Sequence, residues 1–196
     1  MDDGKERCPV FCITDIPTSA LDLLLQCTEE YLEEYRIPDY KLHTPDRIVI
    51  MDTKDVSSIS RGSSVPVSLS PAAFVGMTVQ EIRDWFDTNI TQTGREGFMH
   101  HCFLVLDAQS VTDESCLFVC TQDAPLQSLR CDFDVALQNA VVCNDGQSIE
   151  EGAMGSFMRS EMIMTKANLK LAMNGGVYME GGEVKVDQAW KDFLNW

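Results

Sequence analysis

Apolar and polar positions along this chain fall into blocks whose period switches between strand and helix spacing. Pro9 to Thr14 is a short apolar run that predicts a strand, and Ser19 with Asp22 three residues on resembles a capping box opening a helix. That helix is expected to run to about Arg36. Its apolar stripe is Leu21, Leu24, Leu25, Thr28, Leu32 and Tyr35, while Glu29, Glu30, Glu33 and Glu34 fall largely on a solvated face. Pro38 and Pro45 bracket a connection, and Arg47 to Met51 reads as a second strand. From Val56 to Ser70 seven serines with Gly62 and Pro66 predict an exposed loop or lid. Thr78 and Glu81 form a second capping box, followed by the helical stripe Val79, Ile82, Phe86 and Ile90.

The most sheet-like stretch comes next. Met99 to Asp107, Cys116 to Thr121 and Gln127 to Phe133 are three runs rich in Val, Leu, Phe and Cys, separated by polar turns, and they predict an antiparallel meander. The first is apolar on both faces and belongs at the centre. In the third, Ser128, Arg130 and Asp132 alternate with Leu129, Cys131 and Phe133, so one face is buried and the other polar. Helical spacing returns after Ser148, with Met154, Met158 and Met162 at intervals of four, then a helix over Thr165 to Met173. A hairpin about Gly181-Gly182 and a terminal helix capped by Asp187 close the pattern. The expected fold is α+β: a central, mostly antiparallel sheet packed by helices, in a single domain over residues 1–196. A Ser-rich loop at 56–70 and a Met-rich region at 150–196 are its irregular parts.

Composition narrows the function classes. The 196 residues are 44% hydrophobic and 23% charged, a globular balance. Fifteen Lys and Arg against 31 Asp and Glu leave a net charge of -16, whose field repels phosphate backbones and anionic lipid, so neither nucleic acid nor membrane is expected as a partner. No secretory leader and no apolar run of about 20 residues is seen, and a cytoplasmic location is expected. The eight cysteines sit inside apolar runs such as Cys116 to Cys120, which reads as reduced, buried thiols.

Several residue groups suggest chemistry. Cys8 with Cys12 and Cys116 with Cys120 have a zinc-like gap, but residues four apart on a strand lie roughly 13 Å apart, too far to share one ion. No metal and no cofactor is therefore expected. His100-His101-Cys102 gathers two of the three histidines, although neighbours on a strand face opposite ways. Arg130 is a candidate anion anchor whose alternative is an internal ion pair with Asp107, Asp132 or Asp15. Met154, Met158 and Met162, with His100, are candidate ligand contacts, because methionine adapts to many apolar shapes.

The segment from Phe103 to Cys120, continuing through Leu129-Arg130-Cys131-Asp132-Phe133, resembles the central part of a family from fungi and bacteria that has no established activity. The likeness rests on Thr14-Asp15 ending an early strand, Asp107 ending a strand before a polar turn, and Arg130 within a strand. It covers about the first three quarters of the chain, and it implies a compact α/β domain of fungal origin without supplying catalytic residues. After Cys143 the pattern departs. The leading reading is a small-ligand or partner-binding accessory protein with an apolar pocket. Its rivals are a cofactor-independent isomerase, cyclase or dehydratase acting on an apolar metabolite, and an acidic module for a basic protein. In the enzyme, Asp107 or His101 is the general base and Arg130 polarises an oxygen.

Overall fold

The apolar runs become strands because the sheet can be covered, on both faces along β1 to β4 and on one face at β5. They are β1 (Cys8–Cys12), β2 (Ile48–Ile50), β3 (Cys102–Leu106), β4 (Ser115–Cys120) and β5 (Gln127–Asp132), in the sheet order β2-β1-β3-β4-β5. The computed structural model describes residues 6–34, 47–68, 70–122, 126–144, 163–173, 177–180 and 183–186. β1 pairs in parallel with β2 and with β3, and the pairs β3/β4 and β4/β5 are antiparallel. The α+β class and the meander therefore stand, while the sheet is mixed rather than mostly antiparallel. Connection length is the physical reason: a helix lies between β1 and β2 and another between β2 and β3, and a helical crossover returns the chain in parallel.

Alternate residues of β1 to β4 feed two separate cores, and β5 feeds one. Val10, Leu104 and Phe118 pack against α1 (Thr18–Glu34) and α4 (Phe133–Asn144). Phe11, Val49, Phe103 and Val105 turn the other way, onto Phe74, Ile82 and Phe86. Phe11 sits at the hub, with ring centroids 4.9 Å from Phe74, 5.3 Å from Phe103 and 5.7 Å from Trp85. Pro9 is tolerated in a central strand because of its place in the ladder. Cys8 N–H bonds Arg47 and Ile13 N–H bonds Leu106, so the missing donor of Pro9 faces β3, where pairing begins only at Val10.

α1 buries Leu21, Leu24, Leu25 and Thr28 and leaves Glu29 and Glu30 exposed, as its stripe predicts. It starts at Thr18, so Asp22 lies inside it and serves a different purpose: its carboxylate accepts the Val67 N–H at 2.7 Å. α2 (Val79–Phe86) carries the full Thr78/Glu81 capping box and continues into a π-helical turn at Asp87–Thr91 that buries Ile90. Two helices were not legible in the pattern. α3 (Ala108–Asp113) is under two turns long, and α4 is apolar around most of its circumference, so neither shows an amphipathic stripe.

Past α4 the chain returns at Met164, which is fully buried and hydrogen-bonds along the outer edge of β5, N–H to Arg130 at 2.9 Å and C=O from Asp132 at 3.0 Å. α5 (Lys166–Met173) follows, and β6 (Val177–Glu180) with β7 (Glu183–Val186) makes the expected hairpin. Met154, Met158, Met162 and the helix expected after Asp187 lie outside the described residues. Among the described residues no helix is long and apolar enough to cross a membrane.

Candidate functional site

In a sheet with crossovers on both faces, polar groups collect where strands end and helices begin. The carboxyl ends of β1, β2, β3 and β5 share one edge here, and β1 is the point from which the chain turns first to β2 and later to β3. Open α/β sheets bind ligands along such an edge. Asp107 stands there, immediately after β3, as N-cap of α3: its Oδ1 accepts the Ser110 N–H at 3.1 Å, and Ser110 Oγ accepts the Asp107 N–H at 3.0 Å. Its other oxygen accepts Arg130 Nη2 in an ion pair whose side chains are 23% and 13% exposed. Arg130 Nη1 reaches Ser115 Oγ at 3.0 Å, and Ser115 in turn donates to Asp113.

Both prongs of the Arg130 guanidinium are thus committed inside the protein. Burial acts to raise the Asp107 pKa, but the hydrogen bond and charge of Arg130, with the bonds from Ser110, outweigh it and hold the carboxyl below its ordinary value. A carboxylate so held is a poor general base. The structure brings Asp107 and Arg130 together as a structural pair, and it does not bring His101 to them. His101 is exposed and His100 half-buried at bends ahead of β3, and β3 separates His101 from Asp107 by roughly 20 Å at 3.3 Å per residue. The histidine backbones are what this end uses: His100 C=O accepts Thr91 Oγ1 at 3.1 Å, and His101 C=O accepts the Thr121 N–H at 2.8 Å.

Asp132, at the end of β5, behaves oppositely to Asp107. Burial and the neighbouring Asp134, Asp113 and Glu114 push its pKa up to about 6. With Leu23, Cys27 and Phe133 these groups line a cavity of about 110 Å³. The Cys27 thiol is raised to about 12, first by burial and then by its hydrogen bond with Asp134, so it is protonated and unreactive.

The remaining cysteines are buried on the α1/α4 face of the sheet. The zinc-like pair on β4 is parted between two other thiols: Cys116 Sγ lies 3.7 Å from Cys131 Sγ, and Cys120 Sγ lies 3.3 Å from Cys143 Sγ. Among the described residues no group of three or more His, Cys, Asp or Glu side chains is arranged to hold a metal ion.

The larger opening lies elsewhere, beside β2. The Ser-rich segment folds back on this edge strand and satisfies it: Ser63 N–H bonds Ile48 C=O at 2.8 Å, and Ser63 Oγ accepts the Ile50 N–H at 2.9 Å. Asp55 caps a turn of 3-10 helix at Val56–Ser58, and Asp22 holds Val67 from α1. Between these anchors the segment arches over an open cleft of about 430 Å³. Val49, Ile50, Ile59, Pro66 and Val67 supply its apolar lining, and the rest is Asp52, Thr53, Arg61, Gly62 and the serines Ser58, Ser60, Ser63, Ser64 and Ser68. The sequence marked this stretch as a loop by its serines, but only the fold brings Asp52 and Arg61 to one cleft. A lone arginine inside a serine-rich run was the available signal.

Comparison with family models, with curated proteins and with solved structures finds no match for this chain.

Proposed function

We propose that this protein binds a small polar molecule in the cleft between β2 and the Ser58–Ser68 arch. One observation carries the reading. The arch is pinned at Ser63 and Val67 to the sheet and to α1, so the cleft of about 430 Å³ is pre-formed, and its volume falls within the roughly 300–1,000 Å³ usual for ligand pockets. Preorganisation matters because a loop that must be ordered by its ligand costs binding energy. The lining of serines, Asp52 and Arg61 directs the reading to a polar ligand in place of an apolar one. A catalytic role at Asp107 and Arg130 draws less support, since each is consumed by the other and by Ser110 and Ser115.

The test is a thermal-shift screen of small polar metabolites against the wild type and Ser64→Trp, an exposed position where an indole fills the cleft. A ligand present at 100 times its Kd stabilises by about 2.7 kcal/mol, or about 5–10 °C in Tm for a chain of this size. Shifts in the wild type that vanish in Ser64→Trp are expected. No shift with any compound, or equal shifts in both proteins, refutes the proposal.

A further inference from the structure

The arginines of the described residues can be accounted for one by one. Arg7 and Arg47 donate to the backbone carbonyls of Gly97 and Glu6, Arg83 pairs with Asp87, Arg95 reaches Val56 C=O, and Arg130 is held by Asp107 and Ser115. Lys54 stands 5.6 Å from the centre of the Phe74 ring. Arg61 forms no hydrogen bond or ion pair with any described residue, in a chain with about twice as many acidic as basic groups available to pair with it. It lines the cleft. Asp52, on the same cleft, is likewise unengaged, and so are the hydroxyls of Ser60, Ser64 and Ser68.

We infer that the ligand is a small zwitterion, a carboxylate and an ammonium on one short scaffold, as in a free amino acid. The inference rests on the cleft being the binding site. A guanidinium presents a planar fork that matches a carboxylate with two parallel hydrogen bonds. Asp52 supplies the counter-charge for an ammonium, and the serines lining the same cleft carry hydroxyls that can both donate and accept. Phosphate esters fit less well. The net charge of -16 repels a dianion, and Asp52 in the same cleft adds to that repulsion, whereas a zwitterion brings no net charge into that field. A purely apolar ligand would desolvate Arg61, Asp52 and the hydroxyls without return.

Titration calorimetry of the full chain decides this with six probes: glycine, serine and glutamine as zwitterions, acetate, inorganic phosphate, and glycerol as an uncharged polyol. The proteins are the wild type, Arg61→Gln, Asp52→Asn and Ser64→Trp. All three side chains are exposed, so folding is preserved, and an unchanged unfolding midpoint verifies it. At least one zwitterion is expected to bind the wild type, at least tenfold more tightly than acetate. Arg61→Gln and Asp52→Asn are each expected to weaken it at least tenfold, and Ser64→Trp to abolish it. Preference for acetate, phosphate or glycerol, or binding indifferent to both charge-removing variants, overturns the zwitterion while Ser64→Trp sensitivity keeps the cleft. Binding of no probe overturns the zwitterion, and binding indifferent to Ser64→Trp overturns both.

Discussion

Asp132 is a carboxylate whose ionisation opposes the fold, and Asp132→Asn measures by how much. Burial together with Asp134, Asp113 and Glu114 raises its pKa to about 6, whereas an unfolded chain releases this proton near pH 4. Between those values the folded state holds the extra proton, so stability falls as pH rises through the window from about 4 to about 6 and stays reduced above it. A shift of about two units corresponds to roughly 3 kcal/mol at about 1.4 kcal/mol per unit. The side chain remains in partial contact with water, and screening lowers that to about 1–2 kcal/mol. Asn is uncharged, of the same shape, and caps a helix start as well as Asp, which isolates the charge at the residue preceding α4. Urea unfolding of variant and wild type at pH 7.5 and pH 4 is the assay. Asp132→Asn is expected to be more stable by about 1–2 kcal/mol at pH 7.5, with most of the gain gone at pH 4. The general acid response of so charged a chain is common to both proteins and cancels. A variant less stable than wild type at pH 7.5, or a gain undiminished at pH 4, would show that the carboxylate is compensated and the reasoning wrong.

Three further outcomes follow from packing, backbone and burial. Phe11→Ala removes the ring shared by Phe74, Trp85 and Phe103, and a loss of about 3–5 kcal/mol in denaturant unfolding is expected; a loss under about 1 kcal/mol would mean that this core relaxes freely. Glu114 closes α3 at φ 55°, left-handed backbone that favours glycine, and it also adds negative charge near Asp132. Glu114→Gly is therefore expected to raise the unfolding free energy by up to about 1 kcal/mol, and a destabilised variant would contradict both effects. The thiols are buried apart from half-buried Cys27, itself raised to about 12, so alkylation by iodoacetamide at pH 8 should be slow at every cysteine. Mass spectrometry after a short exposure should find all eight modified only in denaturant; a site labelled at the rate of a free thiol would show that its thiol is open to solvent, against the burial argued for it.

The amino-acid pattern by itself determined elements that carry a local signal. The capping box at Thr78 and Glu81, the α1 stripe through Leu24 and Thr28, and the alternation through Leu129, Arg130 and Cys131 appear where periodicity places them. It left out α4, because a helix buried around most of its surface has no polar face to reveal its period. Pairing direction was decided only by the tertiary structure: β1 and β3 are apolar runs that look alike whether their neighbours are parallel or antiparallel, and the intervening helices choose. The sites divide in the same way. Asp107 and Arg130 could be suspected as partners from their strands, and the predicted strand from Met99 to Asp107 already set His101 six residues from Asp107, whereas the pairing that joins Arg130 to Asp107 needed the fold. Asp52 and Arg61 face one cleft only because Ser63 folds the loop back onto β2, and Asp132 is raised because the fold buries it and then brings Asp134, Asp113 and Glu114 beside it. Convergence between residues distant in the chain is set by packing, to which periodicity is blind.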